Sequence, residues 1–320
     1  MVFSSLQFIL VFLPIFFTGY YLTPEKYRNA VLLAGSLSFY LVGTINAPGH
    51  FVLFVAGIVA DFLAGICMEK RQRYKKAILS CTVVFHLICL CIFKYSNFVL
   101  GELGKICDGF PSFNEIILPI GISFYTFQAL SYTIDVYTGK IEKEKSFLQF
   151  ALYLSFFPQL VAGPIVKASE FLPQLKENRK VTLSGLESGI QIFVFGMFKK
   201  VVLADNISVF VDEVYRSPQI FGSGTVALAV AAYAIQIYMD FSGYSDMAIG
   251  CAKCMGYELP VNFNLPYISH NVSEFWKRWH ISLSSWLMQY LYIPLGGNRK
   301  GRIRTYVNLM ITMLLGGLWH

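Results

Sequence analysis

Apolar residues in this chain are grouped in long runs, and charged residues are gathered between the runs. The runs fall near residues 2–22, 29–43, 51–68, 77–93, 116–137, 147–166, 187–204, 224–241, 281–295 and 305–320. A transmembrane helix needs about 20 predominantly apolar residues, so the pattern predicts roughly eight to ten membrane segments, some too short to cross alone. Because helices satisfy their own backbone groups in lipid, we expect an all-α polytopic membrane protein.

The composition agrees with this pattern. Hydrophobic residues make up 55% of the 320 residues and charged residues 14%, against about 25% charged in ordinary soluble domains. A soluble globule of this size could not remove so much apolar surface from water, and disordered, collagenous and disulfide-rich classes have other compositions. The first run, Val2–Leu22, lacks a basic start and a small-residue cleavage site, so we expect a retained span.

The positive charge follows membrane topology. The net charge is +7, but the Lys and Arg residues lie in short groups between apolar runs, so nucleic acid is not an expected partner. The basic tract Glu69–Lys76 predicts a cytoplasmic loop, with Lys140–Lys145 and Asn298–Arg304 as further candidates for that side. The uncharged stretch Thr44–Gly49 is expected on the outer side.

The cysteines are odd in number, and most lie in or beside apolar runs. They are Cys67, Cys81, Cys89, Cys91, Cys107, Cys251 and Cys254. This placement favours helix-packing thiols over disulfides, and no metal site is expected.

Three apolar segments carry helix-breaking and polar residues. They are Ile117–Tyr137, with Pro119, Gly121 and Gln128; Leu152–Val166, with Pro158, Gly163 and Pro164; and Ala234–Gly250, with Asp240, Ser242, Gly243 and Asp246. Broken backbone at membrane depth survives where it is buried in protein or lines a wet cavity. The pattern therefore favours a cavity or tunnel, with ordinary kinks satisfied by neighbouring helices as the alternative. No internal repeat is visible, so we expect one membrane domain over residues 1–320.

His280 lies in a stretch predicted to be a single helix, Asn271–Tyr292. Asn271 is placed to cap it, with Glu274 in capping-box position and Arg278 one turn further on as a partner for Glu274. In a continuous helix Trp276, Trp279 and His280 share a face. Two interpretations stay open: an interfacial anchor with a buried, hydrogen-bonded histidine, or a functional imidazole.

His320 follows a short apolar stretch, Thr305–Trp319. Fifteen helical residues advance about 22 Å within a hydrocarbon core of about 30 Å, so His320 is expected deep in the bilayer, where an ionisable group indicates function. The alternative is a terminal histidine with no fixed place. A deep neutral imidazole could take the proton from a hydroxyl that attacks a thioester carbonyl. No serine elbow, phosphate-binding loop or metal-spaced histidine pair is present.

Linked motifs in this chain resemble the membrane-bound O-acyltransferase family. They are LPIGISFYTFQ at Leu118–Gln128, FPQLVAGP at Phe157–Pro164, MDFSGYSDMAIG at Met239–Gly250, NFNLPY at Asn262–Tyr267, FWKRWHISLS at Phe275–Ser284, YLYIPLGGNRK at Tyr290–Lys300 and GGLWH at Gly316–His320. Their order is similar to the bacterial branch that includes alginate O-acetyltransferases. The resemblance covers a motif-bearing core over residues 116–320, whereas the spans in residues 1–115 match in hydropathy.

The resemblance implies a helical funnel around a tunnel through a bacterial cytoplasmic membrane, with re-entrant or broken helices. It implies acetyl transfer from a cytoplasmic thioester, acetyl-CoA or a carrier protein, to an exported polysaccharide or an extracytoplasmic relay acyltransferase. No resident cofactor is expected. The two family histidines correspond to His280 and His320, with His320 as the catalytic base and His280 supporting the tunnel or donor.

Further site residues are expected on the same motifs. The candidates for lining the tunnel are Asp240, Ser242, Tyr244, Asp246, Asn262, Asn264, Trp279, Trp319 and Gln128. Asp240 and Asp246 could instead tie helices together. Arg299, Lys300 and Arg302 are candidates for steering the donor, with topology and lipid contact as their simpler role.

Two departures from the family pattern leave other functions open. Met288–Gln289 replaces a usual Arg-Asp pair, and family chains continue past the Trp-His dipeptide. The chain is therefore expected to be C-terminally truncated, as a fragment, a split gene or a decayed copy. The alternatives are a polysaccharide or lipid transporter and an inactive scaffold of an export complex. A transporter should show paired broken helices in two matching halves, and the sequence shows no such halves.

Overall fold

The computed structural model describes residues 3–106, 115–177 and 180–319, which are mainly helical and contain no strand. The predicted all-α class is therefore confirmed. The α-helices, in chain order, are α1 Leu13–Leu22, α2 Arg28–Gly43, α3 Pro48–Lys70, α4 Lys75–Ile106, α5 Ile122–Thr138, α6 Phe147–Ser155, α7 Phe157–Leu160, α8 Ala168–Lys176, α9 Leu183–Met197, α10 Asp205–Arg216, α11 Ser223–Cys254, α12 Val272–Arg278, α13 Ile281–Leu287 and α14 Gly301–Trp319. Phe8–Phe12, Phe198–Ala204 and Met288–Tyr292 are π-helical, and Glu25–Tyr27, Gln72–Tyr74, Pro218–Ile220 and Pro266–Ile268 form 3₁₀ turns.

Three described helical segments are long and apolar enough to cross a membrane. They are Pro48–Lys70, Gln72–Ile106 and Ser223–Cys254, and Phe8–Leu22 is a shorter apolar segment. Together with the high apolar content, these segments identify a membrane protein. The predicted total of eight to ten membrane segments and their orientation stay predictions.

The chain divides into two compact units. The first, here called the α11 unit, contains Met1–Glu25, Ala162–Val166 and Asn178–Ser285. The second, here called the α5 unit, contains Lys26–Val161, Lys167–Glu177 and Trp286–His320. The expectation of a single domain over residues 1–320 stays a prediction, and each unit is described by itself.

Glycines hold α9 and α11 together in the α11 unit. Gly189 faces Gly250 and Gly196 faces Gly243, so the helices run antiparallel, with two contacts spaced two turns apart. A Cβ atom on Gly196 would lie 2.6 Å from the Gly243 carbonyl oxygen, and one on Gly250 would lie 2.6 Å from that of Gly189. Membrane helices commonly use small residues for such close approach, because dispersion contacts and not water exclusion hold them together.

Helix α5 forms the core of its unit. It is buried on nearly all sides and packs against α3, α4, α6 and α8. It begins after Gly121, whose φ of 71° and close approach to the Leu160 carbonyl leave no room for a Cβ. The break predicted in Ile117–Tyr137 is therefore present, and the one in Leu152–Val166 separates α6 from α7.

Two predictions about where the helices are interrupted are wrong. The segment Ala234–Gly250 is uninterrupted within α11, because Gly243 serves close packing and does not end the helix. Asn271–Tyr292 does not form one helix, since α12 and α13 are separated at Trp279 and His280. Trp276, Trp279 and His280 consequently do not share the face of one regular helix.

The described cysteines are free thiols, of which Cys251 and Cys254 are buried and Cys67, Cys81 and Cys91 are exposed, so a helix-packing role stays a prediction for the set. The set is Cys67, Cys81, Cys89, Cys91, Cys251 and Cys254. Cys107 lies outside the described residues.

Candidate functional site

His280 is the junction between α12 and α13. Its φ is 43°, in the left-handed region that a non-glycine residue rarely adopts, and it is 3% exposed. Asn271 caps the start of α12 by accepting from the Glu274 backbone N–H at 2.8 Å, and the predicted Glu274–Arg278 pair is present at 2.9 Å. Backbone strain of this kind costs about 1–3 kcal/mol and persists where the surroundings hold it in place.

Asn262 provides those surroundings. Its backbone oxygen accepts from the Ile281 N–H at 2.9 Å, and its side-chain oxygen accepts from the Ser282 N–H at 3.2 Å and the Ser282 hydroxyl at 2.9 Å. The same side-chain oxygen lies 3.1 Å from Nδ1 of His280. Asn262 is 1% exposed, and its amide nitrogen donates to Ser245 Oγ on α11 at 3.2 Å. These bonds take N–H groups away from the helix ladder, which explains why the helix breaks here.

The neighbouring predicted residues lie on the same segment. Asn264 is exposed, and its backbone N–H donates to the Arg278 carbonyl at 2.9 Å. Trp279 packs edge-on against Phe263, with ring centroids 5.0 Å apart. The His280 ring meets Phe241 edge-on at 4.7 Å. An imidazole between aromatic rings and a buried amide is a low-dielectric environment, where hydrogen bonds are strong and unpaired polar groups are costly.

The predicted acidic residues of α11 form ion pairs with the π-helical turn that follows α9. Asp246 pairs with Lys199 at 2.6 Å, and Asp240 pairs with Lys200, which also binds Asp205 at 2.8 Å. These pairs join neighbouring segments, which is the tying role that the sequence left open. A role in lining a tunnel stays a prediction for both carboxylates.

Ser242 and Tyr244 are buried in the same unit. Ser242 is 1% exposed, and the Tyr244 ring stacks on Phe3 with centroids 4.8 Å apart. Their predicted role as tunnel-lining residues is not tested by this packing.

Trp319 belongs to an aromatic cluster in the α5 unit. Its ring lies 4.5 Å from that of Phe127, which also packs on Trp286 at 4.1 Å, and Trp286 Nε1 donates to the Phe127 carbonyl at 3.0 Å. Lys94 of α4 donates to the Trp319 carbonyl, with its Nζ 5.2 Å from the centre of the indole. The predicted catalytic base, His320, lies outside the described residues. Lys94 was not predicted, because its position in an apolar run gives no sequence signal for this contact.

Gln128 is completely buried on α5. Its side-chain amide has no hydrogen-bond partner within the described residues, whereas its backbone carbonyl accepts from Tyr153 at 3.0 Å and Ser131 at 2.8 Å. Buried amides are rarely left without partners. This residue therefore stays a candidate contact for a bound molecule.

The basic segment Arg299–Arg302, which leads into the first turn of α14, is exposed. Arg299, Lys300 and Arg302 all face solvent, and the turn depends on Gly297, whose φ is 54°. Asn308 of α14 donates to the Gly297 carbonyl at 2.8 Å, which anchors the turn. Exposure suits these side chains for contact with an anionic partner, and their predicted steering role is not tested.

A charged cleft elsewhere in the α5 unit involves none of the predicted site residues. Its volume is about 430 Å³, and it is lined by Glu142, Lys143, Glu144, Lys145, Ser146, Gln149 and Lys176. Lys176 and Glu144 pair across it at 2.8 Å. Within the described residues, no group of three His, Cys, Asp or Glu side chains is arranged to hold a metal ion.

His86 of α4 is a second buried histidine. Its Nε2 lies 3.0 Å from both carboxylate oxygens of Asp61 on α3, and the two residues are 3% and 1% exposed. The sequence gives no indication that Asp61 is the partner of His86, because the two residues lie in different apolar runs.

Sequence comparison shows which known proteins this chain is similar to. The profile of the membrane-bound O-acyltransferase family matches residues 140–320. The chain is 43% identical over 330 residues to a probable alginate O-acetylase AlgI of Pseudomonas aeruginosa, covering all of this chain and 62% of the relative. It is 36% identical to a peptidoglycan O-acetyltransferase of Helicobacter pylori, covering all of this chain and 66% of the relative.

The chain is also similar to a more distant relative. The chain is 26% identical to a teichoic acid D-alanyltransferase of Bacillus subtilis, covering 92% of this chain and 75% of the relative. The chain spans 62% to 66% of the length of the alginate and peptidoglycan relatives. On the match over residues 140–320, this chain belongs to the membrane-bound O-acyltransferase family.

Proposed function

We propose that this chain carries the transfer centre of a membrane O-acyltransferase, which moves an acetyl group from a thioester to a hydroxyl. Family membership supports this proposal, as do relatives whose names describe acetylation of alginate and of peptidoglycan. The observation that carries it is the buried His280, held by Asn262 in a strained junction. Structures keep such strain at sites of function more often than elsewhere.

The proposed reaction needs a base and no resident cofactor. The acceptor hydroxyl attacks the thioester carbonyl while His320 removes its proton. The new C–O ester bond forms, the C–S bond breaks, and the proton passes from the imidazolium to the leaving thiolate. A dry site makes any dipoles directed at the developing oxyanion more effective than they would be in water.

The donor and acceptor follow from the same proposal. The donor is acetyl-CoA or an acylated carrier protein on the cytoplasmic side of a bacterial inner membrane, which this chain crosses several times. The exposed cations Arg299, Lys300 and Arg302 suit an anionic donor. The acceptor is an exported polysaccharide or an extracytoplasmic acyltransferase that relays the acetyl group.

Reconstitution tests the proposal. The chain is placed in proteoliposomes, with labelled acetyl-CoA on one side and polymannuronate oligosaccharide on the other, and label in the oligosaccharide is counted. His320→Ala and His280→Ala are each expected to lower transfer by about 10²–10⁴-fold, the range for general acid–base catalysis. His270→Ala is the matched control, because His270 is exposed in a loop and its backbone, not its ring, binds Glu274.

The outcomes separate the alternatives. Transfer that survives His320→Ala unchanged contradicts the assignment of the base. Movement of oligosaccharide across the membrane without acetylation would favour a transporter. Absence of both activities from the wild-type chain would favour an inactive scaffold.

A further inference from the structure

Three hydrogen-bonding groups point at a single atom in the α11 unit, the side-chain oxygen of Asn262. They are the Ser282 N–H at 3.2 Å, the Ser282 hydroxyl at 2.9 Å and His280 Nδ1 at 3.1 Å. Asn262, His280 and Ser282 are each at least nine-tenths buried, so these are direct contacts away from bulk water. Whether this atom is the amide oxygen or the amide nitrogen of Asn262 therefore determines which ring nitrogen of His280 carries the proton.

The orientation of the Asn262 amide is fixed by a backbone group. A peptide N–H always donates, so the atom facing the Ser282 N–H must be the amide oxygen and not the amide nitrogen. The opposite side of the amide agrees, since its nitrogen donates to Ser245 Oγ at 3.2 Å. The Ser282 hydroxyl in turn accepts from the Ile165 N–H at 3.0 Å, which leaves its proton for Asn262.

The proton on His280 follows from this orientation. An amide oxygen has lone pairs and no proton, so a bare Nδ1 at 3.1 Å would set two lone pairs against each other in a dry site. Nδ1 must therefore carry the proton and donate it. In the neutral ring the lone pair then resides on Nε2, because the two nitrogens of a neutral imidazole share one N–H.

We propose that Asn262 is the positioning residue for His280, holding the neutral ring as the Nδ1–H tautomer so that Nε2 acts as a hydrogen-bond acceptor. In acyl transfer, and resting on the function proposed above, such a nitrogen accepts from a hydroxyl or an amide N–H of a substrate. It cannot donate to the oxyanion that forms on the thioester carbonyl. His280 is thereby assigned to substrate orientation or proton acceptance.

The local fold keeps this arrangement in place. The backbone of residues 262–264 runs beside the junction, with Ile281 N–H bonded to the Asn262 carbonyl and Asn264 N–H bonded to the Arg278 carbonyl, each at 2.9 Å. The left-handed φ of His280 turns the chain between these two bonds. Because both the backbone and the side chain of Asn262 engage the junction, the ring position and its tautomer are set together.

Nitrogen NMR tests the proposal without any activity assay. The full chain is labelled with ¹⁵N-histidine in detergent, and the His280 resonances are identified as those missing from His280→Gln. At a pH where the ring is neutral, Nδ1 is expected in the protonated range and Nε2 in the unprotonated range. The reverse assignment in the wild-type chain would overturn the proposal, whether or not the chain transfers acetyl groups.

Two variants and a control extend the test. Asn262→Ala is expected to lose the Nδ1–H preference. Where the wild type is active, kcat is expected to fall by about 10- to 100-fold, by analogy with the partners that orient metal-ligating histidines. Asn262→Asp retains an acceptor and is expected to retain the Nδ1 proton. Asn206→Ala, an exposed position on α10, is expected to leave the His280 resonances unchanged.

These measurements distinguish the two proposals. Retention of the Nδ1–H signature in a correctly folded Asn262→Ala variant would overturn the role of Asn262. An inactive wild-type chain with the expected signature would contradict the proposed function and leave the tautomer assignment supported.

Discussion

The two buried histidines of this protein differ in their partners. His86 joins two regular helices, α3 and α4, and its ring meets both oxygens of the Asp61 carboxylate. His280 sits in a left-handed junction, and its ring meets the uncharged amide of Asn262. A carboxylate is a charged acceptor, whereas an amide oxygen accepts a hydrogen bond without carrying a charge.

The charge of the partner decides what each contact requires. A buried contact of this kind between two helices resists separation, because breaking it leaves a buried polar group without its partner. A neutral ring whose Nδ1 donates to an amide oxygen carries its lone pair on Nε2. Burial alone therefore does not describe how each ring is held.

Removing His86 should produce the largest loss of stability. His86→Ala leaves the Asp61 carboxylate buried without its partner, and such changes cost about 3–5 kcal/mol in the free energy of unfolding. Denaturant unfolding in detergent micelles measures the loss. His50→Ala, a half-buried histidine near the start of α3, serves as the control and should cost far less.

A double variant sharpens this first prediction. Asp61→Leu with His86→Leu removes both polar groups and should recover much of the lost stability, because apolar replacement of a whole buried pair is often neutral. A double variant as unstable as His86→Ala would show that shape, and not charge, matters between α3 and α4.

Changing a glycine at the contact between α9 and α11 should cause an intermediate loss of stability. It should also alter the hydrogen bonds around His280. Gly196→Ala places a Cβ 2.6 Å from the Gly243 carbonyl oxygen, and overpacking of this kind costs about 1–3 kcal/mol. Helix α11 also carries Ser245, the partner of Asn262, so the His280 resonances should shift as well. Gly224→Ala, with no atom within 4 Å of the new Cβ, is the control and should be tolerated.

Changing Glu274 should have the smallest effect on stability, and this effect should depend on pH. The His270 backbone N–H, followed by the Arg278 guanidinium, lowers the pKa of Glu274 below its ordinary value of 4.5. A lowered pKa contributes stability above pH 4.5, and this contribution disappears as the pH falls through and below that value. Thermal unfolding should therefore distinguish wild type from Glu274→Gln at neutral pH, with the difference vanishing in acid. A difference that grows in acid would contradict the assignment.

Local signals in the sequence predicted local structure well. Asn271 caps α12, and Glu274 pairs with Arg278, because both features depend on residues within one turn. The break at His280 was missed, since neither glycine nor proline marks it. It depends on Asn262, a residue distant in sequence whose backbone and side chain bind the start of α13.

Contacts between separate helices could not be predicted from the sequence. Asp61 and His86 lie on different helices, and an isolated aspartate in an apolar run does not identify its partner. Gly243 was taken as one sign of an interrupted helix, but it provides space for the α9 backbone. In each case, the packing of one helix on another decides what the residue does.

The direct backbone contact between α9 and α11 has a mechanical consequence. Side chains at an ordinary interface can change rotamer and absorb a small displacement, but two touching backbones leave nothing to rearrange. A displacement of α9 is therefore expected to move α11 with it. Ser245 lies on α11 and accepts from the Asn262 amide, so this displacement is expected to reach the amide that holds His280.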